Sequence, residues 1–270
     1  MLEAKLTERD LAVLQRVSGL RFASGGQLTR LEFTASPDEA ADARTARRAL
    51  LRLVRLGALA RLPRPVGGVR AGSAGFTYYL DVAGQRLAVR YGWQPERRGR
   101  RSHTPGTLFV RHALQVAELH TLLVEADRSR RFELLELRAE PACWRSWSGV
   151  GAQQPRLKPD SYVRLGVGAY EDSYFVEVDR GTEGSRALER QLQLYCAYAA
   201  SGQEQAAHQV FPSVLWLVPN QQRVEAIEGC VGRQPGDMAG LFRVARFDTA
   251  LHVMTEPDTG QEDTNSLSKA

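Results

Sequence analysis

The stretch Leu157 to Glu183, LKPDSYVRLGVGAYEDSYFVEVDRGTE, constrains the fold more than any other part of the chain. Two apolar-alternating runs follow one another, with Pro159-Asp160 on the first and Glu177-Val178-Asp179 on the second. The pattern predicts strands over Ser161–Leu165, extended back through Leu157, and over Tyr174–Val178. On a strand, side chains at i and i+2 share a face, so Lys158 faces with Asp160 and Glu177 with Asp179. If the two strands are neighbours, three carboxylates and one ammonium converge. Hard oxygen ligands of this kind suit Mg²⁺ or Mn²⁺, which could activate water and stabilise charge developing on a phosphodiester. The competing reading is an acidic strand pair without chemistry.

The surrounding pattern supplies an α/β setting for these strands. Phe109 to Asp127 has apolar residues in helical register, and a strand is predicted at Phe132–Leu137. After the acidic strand come a helix over Arg186–Ala200, the apolar strand Ser213–Val218, a helix near Gln221–Cys230 and a last strand around Ala245–Val253. That order predicts a sheet covered by helices over residues 107–255. The tail 256–270 is polar and expected to be disordered.

The front of the chain is of another kind. Thr7 with Asp10 three residues on predicts a capped helix, a second short helix fits Ser24 to Leu31, and a third runs over roughly Asp42 to Leu56. On that third helix Ala46, Leu50, Leu53 and Val54 share one face, and Arg44, Arg47, Arg48, Arg52 and Arg55 fill the other. Two strands, Ala58–Leu62 and Phe76–Leu80, then flank a Gly- and Pro-rich loop holding Arg64 and Arg70, and Asp81 caps a further helix. Three helices and such a hairpin predict a winged helix-turn-helix over residues 1–91, its third helix in the major groove of duplex DNA and its wing on an adjacent backbone. A solvated basic face is the alternative.

Charge agrees with this division. Residues 1–106 carry 19 basic and 9 acidic residues, and the remainder 17 and 22, so the front half is the one suited to a polyanion. All basic residues except Lys5, Lys158 and Lys269 are arginine, which weakens arguments from arginine number alone. Residues 92–106 contain Arg97, Arg98, Arg100 and Arg101 among Gly and Pro and read as a basic linker, phosphate-tracking or simply solvated.

Other features exclude more than they suggest. Cys143, Cys196 and Cys230 lack paired spacing, so neither a disulfide framework nor a zinc site is indicated and all three are expected as buried thiols. The five histidines lack metal-ligand spacing, although His112 and His120 share a helix face. No membrane span or secretion signal is present, which predicts a cytoplasmic protein.

Asp160, Glu177 and the helix that follows resemble the PD-(D/E)xK nuclease superfamily, and Gln191-Leu-Gln-Leu-Tyr195 is similar to the Q-x-x-x-Y motif of its RecB-like branch. Together with the N-terminal winged helix, the whole order resembles the replication-relaxation proteins of bacterial plasmids and integrated mobile elements, over residues 6 to about 253. The resemblance implies an α+β chain whose back half is a restriction-endonuclease-like three-layer α/β domain. It assigns candidate catalytic roles to Asp160, Glu177, Asp179, Gln191 and Tyr195, with metal on the three carboxylates. It also implies double-stranded DNA as partner, with a second copy or a replication or mobilisation protein besides. The departure is Asp179, which stands where the superfamily has a lysine that orients the attacking water. Lys158 is the cation that could replace it if the domain cuts, and otherwise reads as a snorkelling residue at a strand end. If nothing replaces it, the domain is a degenerate nuclease in a DNA-binding protein of replication, mobilisation or regulation.

Overall fold

The computed structural model describes residues 2–62, 75–94, 106–148 and 154–256. Arg64, Arg70, the linker arginines 97, 98, 100 and 101, His103 and the tail from residue 257 lie outside the described residues.

Three short helices open the chain: α1 (Glu8–Leu20), α2 (Gly25–Glu32) and α3 (Glu39–Arg55). Thr7 and Asp10 form a reciprocal capping box on α1, and Ser24 and Gln27 another on α2, so each start is fixed by side chains that satisfy free N–H groups. Helix α3 begins three residues before the expected Asp42, because the Asp38 carboxylate accepts the Ala40 N–H at 2.9 Å and caps it there. Strands β1 (Ala23–Ser24), β2 (Leu59–Arg61) and β3 (Thr77–Leu80) form an antiparallel sheet in the order β1-β3-β2, and α4 (Val82–Arg90) follows. Helix α4 approaches the start of β2 so closely that a Cβ on Gly84 would lie 2.1 Å from the Ala58 carbonyl oxygen.

The long helix α5 (Thr107–Arg128) leads into the back half. There, β4 (Glu133–Ala139) is followed by a two-stranded ribbon, β5 (Arg145–Ser146) with β6 (Arg156–Leu157), and then by β7 (Ser161–Val167) and β8 (Tyr170–Val178). Helices α6 (Ser185–Ala200) and α7 (Gln203–His208), strand β9 (Ser213–Val218), helices α8 (Gln221–Val231) and α9 (Gly236–Ala239), strand β10 (Phe242–Arg246) and helix α10 (Ala250–Thr255) complete it. The main sheet has the order β10-β9-β8-β7-β4: β4, β7 and β8 are antiparallel, and β8, β9 and β10 are parallel. Alternate residues of β8 and β9 serve two cores. Val176, Val178, Leu215 and Leu217 pack toward α5 and the front helices, while Phe175, Val214, Trp216 and Val218 pack toward α6 and α8.

Two strand expectations are corrected. The run back from Ser161 to Leu157 is broken at residues 158–160, where Pro159 has no N–H to give a ladder, and Arg156–Leu157 pair with β5 instead. The last strand is Phe242–Arg246, and residues 247–255 turn helical, with Ala250 and Met254 buried one turn apart. The front and back halves are joined by α2 on α5. Gln27 Nε2 donates to the Leu114 carbonyl and to Glu118, both at 2.9 Å, and the Arg30 guanidinium spans Glu118 and Glu125 at 2.5 Å each. No helix of the described residues is long and apolar enough to cross a membrane.

Candidate functional site

The β7–β8 register pairs Ser161 with Val176, and the Asp160 N–H continues that ladder to the Val176 carbonyl at 3.1 Å. One further step sets Asp160 beside Glu177, at the end of the sheet where α5 begins and β8 stops. Asp160 is held on both oxygens: Oδ2 accepts the Val178 N–H at 2.7 Å, and Oδ1 lies 2.8 Å from His112 Nε2. Burial pulls the His112 pKa down, but the hydrogen bond and charge of Asp160 outweigh it and the net shift is upward. The sequence did not mark His112 as a site residue. Its only signal was the face shared with His120, whose Nε2 is 2.8 Å from Ser161 Oγ in the core and whose pKa burial lowers to about 3.

Glu177 is 5% exposed. The Tyr195 hydroxyl donates to its Oε1, and Gln191, one turn earlier on α6, also hydrogen-bonds to it. Gln191 and Tyr195, the residues of the Q-x-x-x-Y pattern, thus both aim their side chains at this one carboxyl. Burial, then the charge of Asp160, raise the Glu177 pKa well above the usual carboxylate range, against the lowering effect of the Tyr195 and Gln191 bonds. Burial and the Glu177 charge likewise push the Tyr195 hydroxyl well up.

Asp179, one residue past β8, is turned to a different task. Its Oδ2 accepts from Arg223 Nε on α8, and its Oδ1 accepts the Gly181 N–H at 2.7 Å. Gly181 takes a φ of +73°, open to glycine, which lets the chain fold back onto the carboxylate. Arg223 also donates to the Glu183 carbonyl at 2.9 Å, so one guanidinium ties α8 to the loop after β8. With 3% of the Asp179 side chain and 14% of Arg223 exposed, the pair is closed off from water.

A cleft of about 430 Å³ is lined by these groups, among them His112, Lys158, Asp160, Glu177, Asp179 and Arg180. Lys158 and Asp160 thus share a cavity without sharing a strand face. The Lys158 ammonium lies 5.1 Å from the Trp144 ring centroid and is otherwise exposed. Arg186 and Arg190 at the start of α6 are exposed and form no ion pair among the described residues, and Glu189 pairs with Arg233 at 2.6 Å. Cys143 and Cys230 are buried as expected, and Cys196 is half-buried.

The arginines of α3 divide into two groups. Arg44, Arg47, Arg48 and Arg55 are exposed; Arg44 meets only the exposed Asp38, at 3.3 Å, and Arg47 Nε bonds within its own helix. Arg52 was expected on the same face, but its Nη2 reaches both oxygens of Asp10 at 2.5 Å, and the Asp10 side chain is 2% exposed. A carboxylate already engaged in the α1 capping box thus takes Arg52 out of the set free to meet phosphate.

The family model described as replication-relaxation matches residues 14–214, from within α1 to the start of β9. The chain belongs to the replication-relaxation family. No match to it was found among curated proteins or solved structures. The matched span of this replication-relaxation protein includes α3, Asp160, Glu177, Asp179, Gln191 and Tyr195, whereas Arg223 lies beyond it.

Of the three carboxylates expected to hold Mg²⁺ or Mn²⁺, all line the cleft, and Asp179 is the one engaged by a guanidinium, that of Arg223. Among the described residues no group of three His, Cys, Asp or Glu side chains is arranged to hold a metal ion.

Proposed function

We propose that this protein binds duplex DNA through the exposed arginines of α3 and serves the replication or mobilisation of a plasmid or mobile element, with a nuclease-like back half that does not cut. Two features of the architecture support the ancestry. Helices α1 to α3 followed by the β2–β3 hairpin are of winged-helix type. Helix α5, the antiparallel β4-β7-β8, then α6 and the parallel β9 follow the PD-(D/E)xK order.

One contrast in cation placement carries the proposal. Exposed guanidinium groups stand on α3, where phosphates and guanine edges could meet them. At the position where the nuclease pattern has its lysine, Asp179 and Arg223 neutralise each other in a closed pair. A neutral pair offers the attacking water no ammonium at that position. A second copy of the chain, or a replication or mobilisation protein, would supply whatever chemistry the process needs.

Footprinting on duplex DNA tests the binding half. A protected site is expected without added metal, and Arg47→Ala/Arg48→Ala is expected to weaken binding and lower the salt slope by roughly two. Unchanged affinity and slope would remove α3 from the interface. Incubation of supercoiled plasmid with Mg²⁺ or Mn²⁺ tests the other half, and no open circles should form above an Asp160→Ala control. The nickase alternative keeps one specific support, that Lys158 shares the cleft with Asp160 and Glu177. Nicking that Asp160→Ala and Lys158→Ala both abolish would establish it.

A further inference from the structure

Leu51 stands at the centre of the arginine face of α3. At about 100° per residue, Arg47 and Arg48 lie one turn before it, Arg55 one turn after and Arg44 two turns before, all on the same side. It is 40% exposed, while its helix neighbours Leu50 and Leu53 are 1% and 0% exposed and complete the core side of α3 without it. A single exposed leucine on a protein surface calls for no explanation. This one occupies the middle of an otherwise cationic face.

Two constraints hold that face in place. Leu50 and Leu53 anchor the helix in the core, and the Arg52–Asp10 pair fixes its rotation against α1. Leu51 therefore points where its four arginine neighbours point, and an anionic groove drawn onto them would meet an apolar side chain at its floor. The major groove presents one apolar group to such a contact, the C5-methyl of thymine.

Building on the proposal that α3 engages duplex DNA, we infer that Leu51 packs against a thymine methyl, so that α3 reads sequence and does more than clamp phosphates. Electrostatic binding by the arginines alone would be indifferent to sequence. The leucine adds a contact that only A·T pairs in one orientation can satisfy.

The experiment uses the full chain and duplexes selected by it from a randomised pool. Each thymine of the preferred duplex is replaced singly by deoxyuridine, which removes the methyl and leaves the base-pair hydrogen bonds intact. Wild type should lose about fourfold in affinity at one or two positions, the worth of one buried methyl. Leu51→Ala should lose a similar factor on the thymine duplex, show no further loss with deoxyuridine, and bind random-sequence competitor DNA as wild type does. Alanine is the best helix former, and the position is outside the core, so folding should be kept. If Leu51→Ala still discriminates thymine from deoxyuridine, or if the selection returns no preferred sequence, the inference is overturned while the arginine face stands. If the wild-type chain binds no duplex at all, the DNA-binding proposal falls, and this inference falls with it.

Discussion

Removing Asp179 tests whether its pair with Arg223 is structural. In Asp179→Ala the charged bond from Arg223 Nε is lost, about 2–3 kcal/mol for a hydrogen bond between charged groups. The Gly181 N–H also loses its acceptor, about 1 kcal/mol more. The expected destabilisation is therefore about 3–4 kcal/mol, against about 2–3 kcal/mol for Asp179→Asn, whose amide oxygen keeps the Gly181 bond. Arg223→Ala should cost about 3 kcal/mol, because it leaves a buried carboxylate without its countercharge and frees the Glu183 carbonyl. The two single changes remove one interaction, so the double variant should fall short of their sum by about 2 kcal/mol. Urea unfolding followed by tryptophan fluorescence reads this out, with Trp216 on the neighbouring strand β9 as an internal reporter. Single effects each below about 1 kcal/mol, adding without coupling, would mean a screened surface bridge. The account of Asp179 as a filled position would then be wrong. Asp179→Lys carries the same logic further: it sets an ammonium against the Arg223 guanidinium and should be less stable than Asp179→Ala, with no gain of nicking.

Arg52→Ala should destabilise the fold by about 2 kcal/mol, since it strips a buried carboxylate of a partner that is itself partly solvated, and it should leave the salt slope of DNA binding unchanged. Glu177 has a folded pKa raised above its unfolded value, so its contribution to stability is full below the usual carboxylate range and is lost as pH rises through the folded pKa. Glu177→Gln, which keeps an acceptor for Tyr195, should flatten that decline and be the more stable form at neutral pH in thermal melts. His120 has the opposite sign. Its pKa is lowered from 6.5 to about 3, so its contribution is present above 6.5 and is lost as pH falls toward 3, at up to about 1.4 kcal/mol per pH unit. Acid titration of wild type against His120→Gln checks this, and parallel curves would count against it.

How much of this was legible in the sequence depended on whether the cause was local. The capping boxes at Thr7 and Ser24, the period-2 runs that became β7 and β8, and the Arg-rich face of α3 are set by residues within a few positions of each other. The gathering of Asp160, Glu177, Gln191 and Tyr195 followed from strand order and one helical turn. What sequence missed was decided across long separations. Asp10 claims Arg52 from 42 residues away, His112 reaches Asp160 over 48, and Arg223 reaches Asp179 over 44. Nothing near those residues marks the partner. Arg52 looks like its exposed neighbours until α1 is packed beside it, and Asp179 looks like a third ligand until α8 arrives with a guanidinium.

On the proposed nuclease ancestry, that dependence bears on how the back half would lose or regain a cutting site. The Asp179–Arg223 pair joins the loop after β8 to α8, and Gly181 and the Glu183 carbonyl are held by the same two side chains. The aspartate thus does more than stand in a lysine's place, because it sets the path of the segment leading into α6, on which Gln191 and Tyr195 are mounted. A lysine at residue 179 would restore the residue type and, by repelling Arg223, release the loop that positions Gln191 and Tyr195 on Glu177. On that proposal a nuclease-type lysine would require a change at Arg223 as well, and a lysine at 179 with Glu at 223 is the combination that keeps one charge of each sign between the loop after β8 and α8.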